Sequence, residues 1–319
     1  MKKSYLIAAA LSAILATQVF AQEVVVISTG GAKGTYSSFF KSIQSMCGET
    51  VQLIEKPSAG SDSNIDNLIN KQADAAFVQS DTLQFTAMND PRASDSQIRV
   101  LLPLYLEEVH VVALKDLSKT SGGVSFFGKN VGGTKTQLSS LADLEGVKVG
   151  AWGGSFTTAR AISYLGGVKY ETIQFEDDKK ALAALNSGEI AAIVAVGGQP
   201  LGFVSSLSGN YKLLKIDSGL ADKVKAYQKA RINYRNLGSD STETVAARSM
   251  LVVKNYSTPV RKDKLAALKR CIVSHIGDFK EGTGHHPKWN DVDLETPVSW
   301  AMYDVGAAPK TAPVLTKKK

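Results

Sequence analysis

One unit is written twice in this chain: an apolar strand running into a Gly-Gly turn and a helix, then, about 40 residues later, a strand containing Ala-Ala. The first copy runs from Val24 to Phe40 and from Ile69 to Asp81; the second runs from Val147 to Ile162 and from Leu185 to Pro200. A repeated strand–turn–helix unit restricts the chain to two similar α/β lobes. Each lobe presents backbone N–H groups where a strand ends and a helix begins, a place suited to a small anion. The space between two such lobes is the expected binding cleft.

The first 21 residues read as a targeting segment, with a basic start at Lys2 and Lys3, an apolar run from Tyr5 to Val19, and Val19-Phe20-Ala21 as a cleavage site. Ser12, Thr17 and Gln18 interrupt that run, which is short for a retained membrane helix. Cleavage after Ala21 leaves about 298 residues, room for two domains. It also removes two positive charges from the formal +7, leaving +5, of which Lys317, Lys318 and Lys319 supply three. No aromatic residue interleaves that terminal run, so it reads as a solvated end rather than a nucleic-acid or membrane patch. Cys47 and Cys271 are the two cysteines. In an exported chain an even count suits a disulfide, with two separate buried thiols as the alternative.

Strand, helix, strand, helix, strand over Val24–Val78 predicts a parallel sheet with right-handed crossovers. Tyr36, Phe39, Phe40 and Ile43 mark the buried face of the first helix, and Ser61 is placed to cap the second. Ile98–Leu104 and Val109–Leu114 read as two further strands. Asp116 to Ser139, rich in Ser, Gly and Lys, reads as an exposed excursion. In the second lobe, strands are expected at Val147–Trp152, Tyr170–Phe175, Ala191–Val196 and Tyr211–Ile216, with a helix around Leu220–Tyr227. Thr244–Val253 is the expected second crossover, and a helix carrying Leu265, Leu268, Ile272 and Ile276 closes the fold. The expected organisation is a first lobe over 22–113, a second over 114–244, a return segment over 245–306 and a disordered tail over 307–319. The fold class is α/β, two Rossmann-like lobes joined by two crossover strands.

Four turns at the C-terminal ends of parallel strands supply the candidate ligand-binding residues. The first contributes Thr29, Gly30, Gly31, Gly34, Thr35 and Tyr36; it lacks the Lys-Ser or Lys-Thr pair of a phosphate-binding Walker loop. The second contributes Ser58, Gly60 and Ser61, and the third Gln79, Ser80 and Asp81. The fourth contributes Gly198 and Gln199. Trp152, Gly154, Ser155 and Thr157, from the second lobe's Gly-Gly turn, and Tyr105 complete the set. Glu107 and Glu108 read as a solvated hinge, with an amine or a bound water as the alternative occupant. Ser155 lacks the glycine two residues later that a nucleophile elbow needs. His110, between valines, reads as structural, and His285-His286 lacks the spacing of a metal pair. No catalytic residue, metal or cofactor is assigned.

These residues resemble the TAXI-type solute receptors of tripartite ATP-independent periplasmic (TRAP) transporters. The likeness lies in Thr29, Gly30, Gly31, Gly34 and Tyr36; in Ser58, Gly60, Ser61 and Asn64; in Phe77 to Asp81; in Leu104-Tyr105 followed by Glu107 or Glu108 and Val109-His110; and in Leu141-Ala142-Asp143-Leu144 with Gly146. The family's Gly-x-Pro turn is kept as Gly198-Gln199-Pro200. The chain departs from it in a longer link over Ser118–Gln137 and in a second-lobe turn that reads Trp152-Gly153-Gly154-Ser155. The resemblance implies the type II periplasmic binding-protein fold and a periplasmic, non-enzymatic receptor. It further implies a small organic anion or amino acid as solute, the membrane permease subunits of a TRAP transporter as partner, and no nucleic acid. A stand-alone sensory or partner-binding protein of the same fold is the alternative.

Overall fold

A computed structural model describes residues 24–121, 124–126, 129–131 and 134–306. The targeting segment and the tail from 307 lie outside the described residues. The first lobe begins β1 (Val24–Ser28), α1 (Thr35–Cys47), β2 (Gln52–Lys56), α2 (Ser61–Ile69), β3 (Ala75–Gln79), α3 (Ser80–Asn89), and then β4 (Ile98–Leu114) leads out of it. Short strands β5 (Ser118–Ser121), β6 (Val124–Phe126), β7 (Lys129–Val131) and β8 (Thr134–Gln137) follow. The second lobe holds β9 (Lys148–Trp152), α4 (Ser155–Gly166), β10 (Glu171–Phe175), α5 (Asp178–Ser187), β11 (Ala192–Gly197), α6 (Gly202–Ser205), β12 (Tyr211–Leu213), α7 (Gly219–Lys223) and β13 (Tyr227–Tyr234). Strand β14 (Ser239–Lys254) returns to the first lobe, where α8 (Pro259–Ser274), α9 (Ile276–Glu281) and a 3-10 turn at Pro287–Asp291 close it.

The sheet order β10-β9-β11-β4-β14-β3-β1-β2 contains the same arrangement twice. In each lobe three parallel strands meet an antiparallel fourth, which is β14 beside β3 in the first lobe and β4 beside β11 in the second. Strands β4 and β14 pair with each other and are the two crossovers. This is the two-lobed type II architecture. Strand β3 is buried on both faces, which is why it reads as an unbroken apolar run rather than an alternating one. Two apolar clusters pack the faces of the first lobe and two pack those of the second.

Several local expectations differ from the structure: the closing helix ends at Ser274, so Ile276 opens α9, and the strand expected over Tyr211–Ile216 ends at Leu213. The two strands expected over 98–114 are one strand of 17 residues. Leu106, Glu107 and Glu108 are held extended by pairing with Arg248, Ala247 and Ala246. The helix expected to reach Tyr227 stops at Lys223, because Tyr227 opens a strand that pairs with β14 through Tyr227↔Ala247. The excursion contains two antiparallel pairs, β5 with β8 and β6 with β7. Cys47 and Cys271 form a disulfide that ties α1 to α8 across 224 residues of sequence.

Candidate functional site

A cleft of about 780 Å³ lies between the lobes. Its walls are the turns that precede α1, α2 and α4, the Gly197–Gly202 turn after β11, Glu107 on the first crossover, and His286–Asp291 of the return segment. Helices α1, α2 and α4 begin at Gly34, Gly60 and Gly154, and none of these N-caps has a side-chain hydrogen bond. The first helical residues, Thr35 and Tyr36 of α1, Ser61 of α2 and Ser155 of α4, line the cleft, and the helix dipoles add partial positive charge there. Glycine at these caps also lets the lobes approach. A Cβ on Gly60, whose φ is +122°, would lie 3.2 Å from the Gly154 Cα.

Thirteen of the expected residues line the cleft: Gly30, Gly31, Gly34, Thr35, Tyr36, Gly60, Ser61, Gln79, Trp152, Gly154, Ser155, Gly198 and Gln199. Ser61 is the first residue of α2 rather than its cap; its hydroxyl accepts the Gln79 N–H at 3.1 Å. Ser155 accepts the Val196 N–H at 3.0 Å, fixing the start of α4 to the end of β11. The other six do not line it. The Thr29 hydroxyl donates to Glu55 at 2.9 Å. Ser58 donates to the Thr29 carbonyl at 2.8 Å and accepts the Gly60 N–H at 3.0 Å, so it braces its own turn. Ser80 donates to the Ala226 carbonyl at 2.6 Å and accepts the Arg248 N–H at 2.9 Å, which builds it into the crossover. Asp81 is fully buried and accepts the Thr82 N–H and the Tyr227 hydroxyl. Tyr105 is core, its ring 4.6 Å from Phe39. Thr157 hydrogen-bonds Asp62 across the lobes.

Glu107 corrects the solvated-hinge reading: it is only 7% exposed and lines the cleft. The Tyr36 hydroxyl, which also lies 3.4 Å from the Ser61 hydroxyl, donates to it at 3.4 Å. Burial pushes the Glu107 carboxyl up to about 7, and the nearby Asp81 and Glu108 carboxylates add to the rise, while the Tyr105 and Tyr36 hydroxyls oppose it. His110 is fully buried beside the Tyr234 hydroxyl at 2.9 Å, and burial brings it down to about 4, so it is neutral at ordinary pH.

Sequence reasoning did not place His286, Lys288, Asn290 or Asp291 at the site. Trp289 carries them there: it is fully buried, stacked 4.1 Å from Phe39 and 4.3 Å from Phe279, and so pins the 3-10 turn beneath the first lobe. A lone tryptophan in a Gly- and Pro-rich stretch was the available signal. The Lys288 ammonium pairs with Glu108 at 3.3 Å and Asp291 at 2.8 Å. Its stem crosses Gly198 so closely that a Cβ there would meet Lys288 Cε at 2.2 Å.

A model of the NMT1-like family matches residues 27–259. The chain belongs to the NMT1-like family. The matched region of this NMT1-like protein spans both lobes and both crossover strands. It is similar to an ancestral arginine-binding protein bound to arginine, at 14% identity and a TM-score of 0.48 over 82% of this chain and 94% of that one. It is similar also to the substrate-binding protein of an amino acid ABC transporter, at 12% identity and 0.47 over 84% and 96%. A third similar structure is the GluR0 ligand-binding core from Nostoc punctiforme in complex with L-glutamate, at 12% identity and 0.48 over 84% and 99%.

Proposed function

We infer that this protein is an exported solute receptor of the TAXI type, which closes two lobes around a small carboxylate-bearing solute and delivers it to a TRAP-type permease. The observation that carries this reading is the convergence of three helix N-termini without side-chain caps on one interlobe cleft. A volume of about 780 Å³ is of the size that small-molecule sites have, roughly 300–1,000 Å³. Micromolar binding requires about −8 kcal/mol. Hydrogen bonds to a charged group contribute about 1.5–3 kcal/mol each, so a carboxylate reaching several of these amides supplies the larger share. Membership of the NMT1-like family and the motif resemblance support a receptor rather than an enzyme. In this reading residues 1–21 direct export to the periplasm and are cleaved after Ala21.

The test is a thermal-shift screen of protein that has been unfolded, stripped of carried-over ligand and refolded. Organic acids, amino acids, phosphate, sulfonates and neutral sugars form the panel. A stabilisation confined to carboxylates, and lost in Trp152→Ala, supports the reading. Stabilisation by neutral sugars alone sinks it. The two hairpin layers between β4 and β9 favour a second reading, a stand-alone sensor that shows its closed state to another protein. Permease genes beside the coding gene would decide against that reading.

A further inference from the structure

We propose that Glu107 sets the class of solute this receptor accepts, holding an ammonium group while the helix ends hold the carboxylate of the same molecule. The proposal rests on the receptor reading above and adds a second pole to its site. Glu107 is buried and lines the cleft, and its side-chain partners are two neutral phenols, Tyr36 at the long distance of 3.4 Å and Tyr105 on its own strand. Among the described residues no lysine or arginine pairs with it, and the one lysine lining the same cleft is already held by Glu108 and Asp291. A buried carboxylate without a cation is expensive. In this cleft the missing partner has room to come from solution. The same Tyr36 hydroxyl reaches Ser61 in the first turn of α2, so the cation-seeking and anion-seeking poles are one phenol apart.

The charge of the solute then decides the sign of a pH dependence. An ammonium needs Glu107 ionised, whereas a purely anionic solute needs it protonated. The groups around it are Tyr36 from α1, Asp81 from α3, Tyr105 and Glu108 from its own strand, and His286, Lys288 and Asp291 from the return segment. Both phenols are raised well above their usual range by burial and stay neutral. His286 is lowered by burial and by Lys288, so it gains charge only at a lower pH than a free histidine does. Asp81 is raised by burial, so the Glu107 variants below separate its titration from that of Glu107. With Glu107 at about 7, its ionised fraction, and hence affinity for an ammonium, rises about tenfold from pH 6 to pH 8.

The experiment is calorimetric titration of the refolded, ligand-free protein with matched pairs differing in the amine: L-alanine against pyruvate, L-leucine against its 2-oxo acid, and L-glutamate against 2-oxoglutarate. The expected result is that, for the pair whose size fits, the amine-bearing member binds at least about tenfold tighter, with affinity rising about tenfold from pH 6 to pH 8. Glu107→Gln should lose both the preference and the pH dependence while still binding the oxo acid. Glu107→Asp should keep the preference with weaker affinity. A wild-type preference for the oxo acid, or an affinity that rises as pH falls, overturns this proposal and leaves the carboxylate receptor intact. Binding of no member of any pair, with a neutral sugar bound instead, overturns both.

Discussion

Replacing Glu107 by Gln should stabilise the protein in alkaline but not in acidic solution. The folded-state carboxyl sits at about 7, against an ordinary value of 4.5. The folded protein therefore retains a proton that the unfolded chain releases, and stability attributable to this group falls as pH rises through that window. Below about 4.5 the penalty is absent; above about 7 it is complete. At 1.36 kcal/mol per unit the full penalty is about 3 kcal/mol. Glutamine preserves the shape and an acceptor for the Tyr36 hydroxyl but cannot ionise. The variant should match wild type near pH 4.5 and exceed it by about 3 kcal/mol at pH 8. Urea midpoints of both proteins at half-unit steps between pH 4.5 and 8.5, ligand-free and with the disulfide intact, read this difference directly. Because Asp81, raised by the same burial, is present in both proteins, subtraction removes it to first order. Two curves that stay parallel across the range would refute the reasoning, since they would mean that Glu107 does not change protonation between the folded and unfolded states.

Two other perturbations test the frame of the site. Cys47→Ala with Cys271→Ala removes a link spanning 224 residues. Chain entropy gives roughly 5 kcal/mol for so long a loop, and measured losses of about 2–4 kcal/mol are typical, so the urea midpoint should fall accordingly; an unchanged midpoint would show that α8 is held by packing alone. Gly60→Ala places a methyl 3.2 Å from the Gly154 Cα at a φ of +122°. It should lose about 1–3 kcal/mol of stability and enlarge the radius of gyration by holding the lobes apart, measurable by urea titration and small-angle scattering.

The parts of the fold that were legible are those whose signal is local. The buried runs of β1, β3, β9 and β11 and the Gly-Gly turns between strand and helix are visible in windows of a few residues. Those turns located both walls of the cleft. A hydroxyl in such a turn does not reveal which way it faces. Ser58 and Ser80 have the composition of ligand-binding residues, yet both are spent on main-chain carbonyls, Ser58 at Thr29 in the neighbouring turn and Ser80 at Ala226 far along the chain. Thr157 is likewise spent, on Asp62 of the opposite lobe, a partner that no local window of sequence reveals. The return segment was illegible because nothing local places it. Its position depends on Trp289 stacking against Phe39, about 250 residues earlier. Strand β13 buries Tyr227, Ile232 and Tyr234 with no consistent two-residue period, and its pairing with β14 decides its conformation.

Glu107 and Glu108 show how one crossover strand can serve two purposes. Successive side chains of an extended strand leave opposite faces, and here Glu107 turns to Tyr36 and the cleft while Glu108 turns to the Gln199 N–H at 2.8 Å and to Lys288. Gly198 has no side chain to obstruct the lysine stem, so Lys288 reaches Glu108 across the second-lobe turn. The lysine thereby ties the crossover to the return segment from which it comes. It neutralises one carboxylate of the adjacent pair and leaves the other. Two neighbouring carboxylates disfavour each other's ionisation, and pairing Glu108 fixes which of them carries the unresolved demand. That demand faces a cavity whose other walls include three helix N-termini, which attract negative charge. A solute carrying charge of one sign would satisfy only one of these poles, whereas a molecule carrying both would meet each of them, as the proposal for Glu107 requires.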